Sequence, residues 1–96
     1  MGLMRVEESI RERLTGAFAP VALEVVNDSH RHATHGSSPQ TGESHFSVIV
    51  VSEAFAGKSR LERHRMVNMA LAEELAGPVH ALAITALTPE ERARKA

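Results

Sequence analysis

The segment His45-Phe46-Ser47-Val48-Ile49-Val50-Val51-Ser52 places the tightest constraint on how this chain folds. In an extended strand Phe46, Val48 and Val50 share one face, while Ile49 and Val51 make the other face apolar too. A strand apolar on both faces is typically central, so it belongs in the middle of a sheet. Other parts of the chain must supply its neighbours and a packing layer.

Two further strands are legible. Ala22 to Asn27 alternates, with Leu23 and Val25 on one side and Glu24 and Val26 on the other. Val79 to Leu87 forms the last strand. Helical spacing is equally clear. Val6, Ile10, Leu14 and Phe18 recur every fourth residue, Gly16 weakens the last turn, and Pro20 ends the element. Ser59 begins the main helix. Ser59 with Glu62 fits a capping box, Leu61, Val67, Leu71 and Leu75 form the expected apolar stripe, and Gly77-Pro78 stops it. Thr88-Pro89-Glu90-Glu91 is a second capping box, with proline at the first helical position. It opens a short helix over about residues 88–96, with a frayed charged tail. The order α-β-β-α-β-α predicts an α+β fold in one domain over residues 1–96. The expected sheet is mixed and three-stranded, with helices on one face.

Composition narrows the function. The 96 residues include three Phe, no Tyr and no Trp, so aliphatic side chains must build the core. A net charge of −1 gives no global field toward nucleic acid or membrane, and binding to either needs a local patch. The absence of cysteine excludes disulfides, thiolate ligands and a thiol nucleophile. No apolar run approaches the roughly 18–20 residues that span a bilayer. The N-terminal residues carry Glu7 and Glu8 without an apolar stretch, unlike a signal peptide, and a cytoplasmic protein is expected. No serine-elbow motif or glycine-rich phosphate loop occurs, and the adjacent acid pairs point about 100° apart on their helices. An enzyme is not expected.

Two constellations carry chemistry. The first lies in and around the stretch Asp28 to Ser44, which has no apolar periodicity and holds three of the six histidines, His30, His32 and His35. Loops longer than about 12–15 residues in compact domains are usually functional or disordered. His80 sits on the last strand and His45 opens the central one. Neutral imidazole suits iron, zinc and copper, so a loop histidine and a strand histidine can form part of a metal site. Against this, a polar loop histidine is most often solvated. His80, in phase with Leu82 and Ile84, also reads as a residue at the edge of the core. His45 reads as an anchor for the loop base, and His64, near the apolar stripe, as a packing residue. The second constellation is Lys58, Arg60, Arg63 and Arg65 at the start of the main helix. It reads as a phosphate-contacting patch, a solvated helix face or a docking surface for an acidic partner. No aromatic residue is interleaved to stack single-stranded bases.

Four motifs in order carry a family resemblance: Glu43-Ser44-His45-Phe46, Phe55-Ala56-Gly57-Lys58, Arg63-His64-Arg65-Met66-Val67 and Val79-His80-Ala81-Leu82-Ala83. Together with Leu23 to Ser29 upstream, they resemble the BolA family over most of the chain. The resemblance implies a fold similar to the class II KH arrangement. Gly57, however, lacks the second glycine of a Gly-x-x-Gly nucleotide clamp. It also implies a non-enzymatic partner of a monothiol glutaredoxin, sharing a bridging [2Fe–2S] cluster with the glutaredoxin and glutathione. By that resemblance the ligands map onto His80 and His32, with His30, His35 and His45 as alternatives. Some family members behave as transcriptional regulators. The second reading is therefore binding of double-stranded DNA through Lys58, Arg60, Arg63 and Arg65.

Overall fold

A computed structural model describes residues 5–28 and 44–95. Helix α1 spans Val6–Phe18, strand β1 Ala22–Asn27 and strand β2 His45–Val51. A 3₁₀ turn at Glu53–Phe55 leads to α2, Arg60–Ala70, and α3, Ala72–Ala76. Strand β3, Ala81–Leu87, and helix α4, Pro89–Lys95, complete the chain. The candidate ligands His30, His32 and His35 lie outside the described residues.

The sheet order is β1-β2-β3, with the doubly apolar β2 in the centre. β1 pairs with it antiparallel, Val25 opposite Val48, and β3 pairs parallel, Val48 opposite Ile84. The sheet is therefore mixed. One face packs Val25, Phe46, Val48 and Val50 against Ile10, Leu14 and Phe18 of α1 and Val67 of α2, all buried. Phe55 is fully buried, and its ring meets that of Phe18 at a centroid distance of 5.0 Å. The Ser52 hydroxyl, also buried, donates to the Phe18 carbonyl at 2.6 Å and ties the end of α1 to the end of β2.

Both capping boxes form. The Glu62 N–H donates to Ser59 Oγ at 3.1 Å, and the Ser59 N–H donates to Glu62 Oε1 at 2.7 Å. The Glu91 N–H donates to Thr88 Oγ1 at 3.1 Å, and the Thr88 N–H donates to Glu91 Oε1 at 3.0 Å.

The main helix departs from expectation in two ways. It breaks at Leu71, whose φ of −106° and ψ of 24° leave the helical region. α3 then lies against α1. Its buried Glu74 accepts from Arg13 Nε at 2.9 Å and from the Ser9 hydroxyl, while Arg13 also pairs with Glu73. Burial pushes the Glu74 carboxyl up, but the bonds from Ser9 and Arg13 outweigh it and hold the group below its ordinary value. The second departure is Leu61, which is 60% exposed rather than part of the core. It precedes Val67 by six residues, about 240° of rotation, so it points away from the sheet. Arg63 and His64, one turn before Val67, take the sheet-facing positions instead.

Candidate functional site

His80 immediately precedes β3 and is exposed. Its backbone N–H donates to the Ser44 carbonyl at 2.7 Å, and the Ala81 N–H donates to the same oxygen at 3.2 Å. Its imidazole has no hydrogen-bond partner among the described residues. Ser44 is the first described residue after the 29–43 segment. At the other end of that segment, the Asp28 N–H donates to the His45 carbonyl at 2.7 Å, and Asp28 Oδ2 accepts from the Ser47 hydroxyl. Both ends of the segment are thus pinned at the same end of the sheet as His80. The Ser44 side chain is buried, with its hydroxyl 2.9 Å from His45 Nδ1. That bond anchors the ring of His45 at the loop base, as its position suggested. A shallow recess of about 270 Å³, lined by Asp28, His45, Ser47, Ala81 and Ala83 among others, opens beside it.

The described donors do not close a metal site by themselves. Among the described residues no three of His, Cys, Asp and Glu gather as a ligand set. A metal group held here through His80 therefore needs further ligands, from the 29–43 segment, from a second molecule, or from both. An exposed imidazole beside one end of a histidine-bearing segment, with the other end at the same end of the sheet, fits that requirement. Sequence spacing alone does not reveal the roles of Ser44, Asp28 and Ser47. They fix the base of the loop through contacts that only the paired strands create.

The basic cluster is divided by the fold. Arg63, grouped with Lys58, Arg60 and Arg65 in the sequence, is turned inward. Its Nη1 and Nη2 grip Glu91 at 2.6 Å and 3.0 Å, Nη1 also reaches the Ala86 carbonyl at 3.1 Å, and Nε donates to the Lys58 carbonyl at 3.0 Å. Its side chain is only 12% exposed. The expectation that Arg63 belongs to a ligand-facing patch is corrected on this point: its guanidinium joins α2, β3 and α4. The Arg63 hydrogen bonds and the Thr88 N–H hold the Glu91 carboxyl down at about 2. The hydrogen bonds to Glu91 in turn raise Arg63 above its ordinary value against the opposing effect of burial. Lys58 and Arg60 remain exposed and line a groove of about 450 Å³ between α2, β3 and α4. Lys95 joins them from α4. Arg65 is exposed but does not line the groove, being about 200° around the helix from Arg63. His64 is half-buried on the groove wall, in keeping with a packing role. Only Glu91's place three residues after Thr88 hinted at its importance, and that signal points to capping rather than to Arg63.

A family profile described as BolA-like protein matches residues 14–91. The chain belongs to the BolA family. It is 54% identical over 86 residues to BolA-like protein 1 of Homo sapiens, covering 90% of this chain and 60% of that protein. The chain thus spans about three-fifths of the length of that relative. It is 49% identical over 88 residues to the DNA-binding transcriptional regulator BolA of Escherichia coli (strain K12), covering 92% of this chain and 80% of that one. The solution structure of BolA1 from Mus musculus superposes with a TM-score of 0.81 at 47% identity, covering 99% of this chain and 74% of that one. This BolA-family fold sets His80 and the loop ends at one end of the sheet, and the groove along the outer edge of β3. Among the described residues no helix is long and apolar enough to cross a membrane.

Proposed function

We propose that this chain is a non-enzymatic partner protein in iron–sulfur trafficking or iron and redox regulation in the cytoplasm. It co-ligates a bridging [2Fe–2S] cluster with a monothiol glutaredoxin and glutathione. The observation that supports the reading most is His80 itself: an exposed imidazole without a partner among the described residues, next to the pinned Ser44 end of a segment holding three histidines and at the same end of the sheet as its Asp28 end. His80 is the strand ligand. His32 is the loop ligand, with His30, His35 and His45 as the alternatives. Ser44 orients His45 and accepts from the His80 backbone, which keeps the loop base and the strand ligand in fixed relation. A histidine-ligated cluster supplies one-electron redox chemistry at a raised potential relative to an all-thiolate one. The ligating imidazoles must be neutral, so acid weakens assembly.

The test is anaerobic mixing with cluster-loaded monothiol glutaredoxin and glutathione, followed by visible absorption and circular dichroism. Wild type should give a heterodimer spectrum distinct from that of the glutaredoxin alone, and His80→Ala should not. Identical spectra for wild type and His80→Ala remove His80 from the site.

A second reading rests on the Escherichia coli relative named as a DNA-binding regulator and on the exposed cations Lys58, Arg60 and Arg65. In it these residues contact duplex phosphates. Combined substitution of all three by alanine should lower duplex affinity and reduce its log–log salt slope by about 0.9 per lost contact. An unchanged slope rules this patch out.

A further inference from the structure

β3 is an edge strand whose outer side is partly open. In a parallel pair one strand's residues alternate between facing the neighbour and facing away. The Ala81 N–H donates to Ser44 and the Leu87 carbonyl accepts from Ser52, so odd-numbered residues of β3 face β2. The N–H and C=O groups of Leu82, Ile84 and Ala86 therefore face outward. Arg63 takes the Ala86 carbonyl. The outward groups of Leu82 and Ile84 have no partner among the described residues. Unpaired groups along an edge are a template for another strand.

The surroundings select the chemistry of that strand. The groove beside Ile84 to Leu87 is lined by four cations, Lys58, Arg60, Arg63 and Lys95, against one carboxylate, Glu91. Glu91 is already committed to Arg63, so the uncompensated charge is that of Lys58, Arg60 and Lys95. This positive strip sits on a chain of net charge −1. No aromatic residue lines the groove, so there is no platform for unstacked bases. The N-terminus of α2 is closed by its own Ser59–Glu62 capping box, so free helix N–H groups are not the attraction.

We propose that the outer edge of β3 docks an extended acidic peptide segment of a partner protein as a fourth strand. Its backbone pairs with Leu82 and Ile84, and its carboxylates face Lys58, Arg60 and Lys95. Strand addition draws affinity from main-chain bonds and selectivity from alternate side chains. Arg63 sets the stop, because its hydrogen bond to the Ala86 carbonyl interrupts the free edge. This surface is separate from the imidazole of His80 and needs no cluster.

The experiment uses the full chain without cluster and a blocked octapeptide of alternating glutamate and valine, read by amide hydrogen exchange resolved by NMR. Exchange at Leu82 and Ile84 should slow by about tenfold or more at saturating peptide, since those N–H groups become hydrogen-bonded. Ala83 and Thr85, already bonded to β2, should change far less. The effect should vanish when the peptide is N-methylated at alternate residues, and should weaken at least about tenfold in Lys58→Glu/Arg60→Glu. No protection at millimolar peptide, equal binding of the N-methylated probe, or equal binding of a lysine-for-glutamate peptide would each overturn the proposal. Preferential protection of the same amides by a single- or double-stranded oligonucleotide would assign the groove to nucleic acid instead. Protection that rises with protein concentration alone would assign the edge to a second copy of the chain.

Discussion

Replacing Arg63 by alanine should destabilise the fold, although the residue sits in what reads as a surface cluster. Its guanidinium donates to the carbonyls of Lys58 and Ala86 at 3.0 Å and 3.1 Å and forks onto Glu91. A typical protein hydrogen bond contributes about 1 kcal/mol net, a floor for a charged donor, for which about 1.5–3 kcal/mol is usual. At that floor the two carbonyl bonds alone amount to about 2 kcal/mol. The Glu91 pair acts in the same direction, but that carboxylate is partly exposed and its share is screened by solvent, so it adds only to the sign. For a domain of this size each 1 kcal/mol lowers Tm by about 4–8 °C. Arg63→Ala should therefore melt about 8–16 °C below wild type. Scanning calorimetry of Arg63→Ala, Arg63→Lys, Lys58→Ala and Arg60→Ala measures this. Lysine keeps the charge and loses the fork, so Arg63→Lys should recover only part of the loss. The two exposed-site variants should stay within about 0.5 kcal/mol of wild type. An Arg63→Ala protein melting within about 2 °C of wild type would refute the assignment of Arg63 to the fold.

Acid should weaken the α4 junction. Glu91 is held at about 2, below the ordinary 4.5, so the stability it contributes is fully present above pH 4.5 and is lost as pH falls toward 2. Glu91→Gln should flatten that part of a stability–pH curve measured by urea melts. An unchanged curve between those limits would show that Arg63 does not depress the group. Phe55→Ala, at a fully buried site whose ring packs tilted against Phe18, should cost about 3–5 kcal/mol in denaturant unfolding, and a loss under about 1 kcal/mol would contradict the packing. Gly57 has a φ of 76°, where L side chains are strained, so Gly57→Ala should lower stability by about 1 kcal/mol despite the open space around it. His80→Ala, at an exposed site, should leave thermal stability within about 0.5 kcal/mol of wild type. A larger loss would mean that any spectral effect of this variant reflects misfolding.

The parts of the fold written in local sequence were legible. The doubly apolar run of β2 marked the central strand, and the residues three apart at Ser59–Glu62 and Thr88–Glu91 marked two helix starts. These signals lie within one turn or one strand, where spacing determines geometry. What escaped lies far apart in the chain. Arg63 and Glu91 are 28 residues apart, and Ser9 and Glu74 are 65 apart, so neither pair leaves a periodic trace. Leu71 carries no glycine or proline signal, and the break there accompanies the packing of α3 on α1. Assigning Leu61 to the core overlooked the 3.6-residue period, which favours Met66 and Ala70 beside Val67 and Leu71. For the candidate site, the resemblance singled out His80 and the loop histidines. The strand register then set His80 beside Ser44 and Asp28 near the same sheet end, a neighbourhood that spacing cannot show.

The most direct measurement is pulsed electron paramagnetic resonance on the reduced complex of ¹⁵N-histidine-labelled chain with unlabelled monothiol glutaredoxin and glutathione. Hyperfine coupling between ¹⁵N and the cluster should be present in wild type and should lose the His80 component in His80→Ala. Coupling absent from wild type, or unaltered in His80→Ala, would contradict ligation by His80.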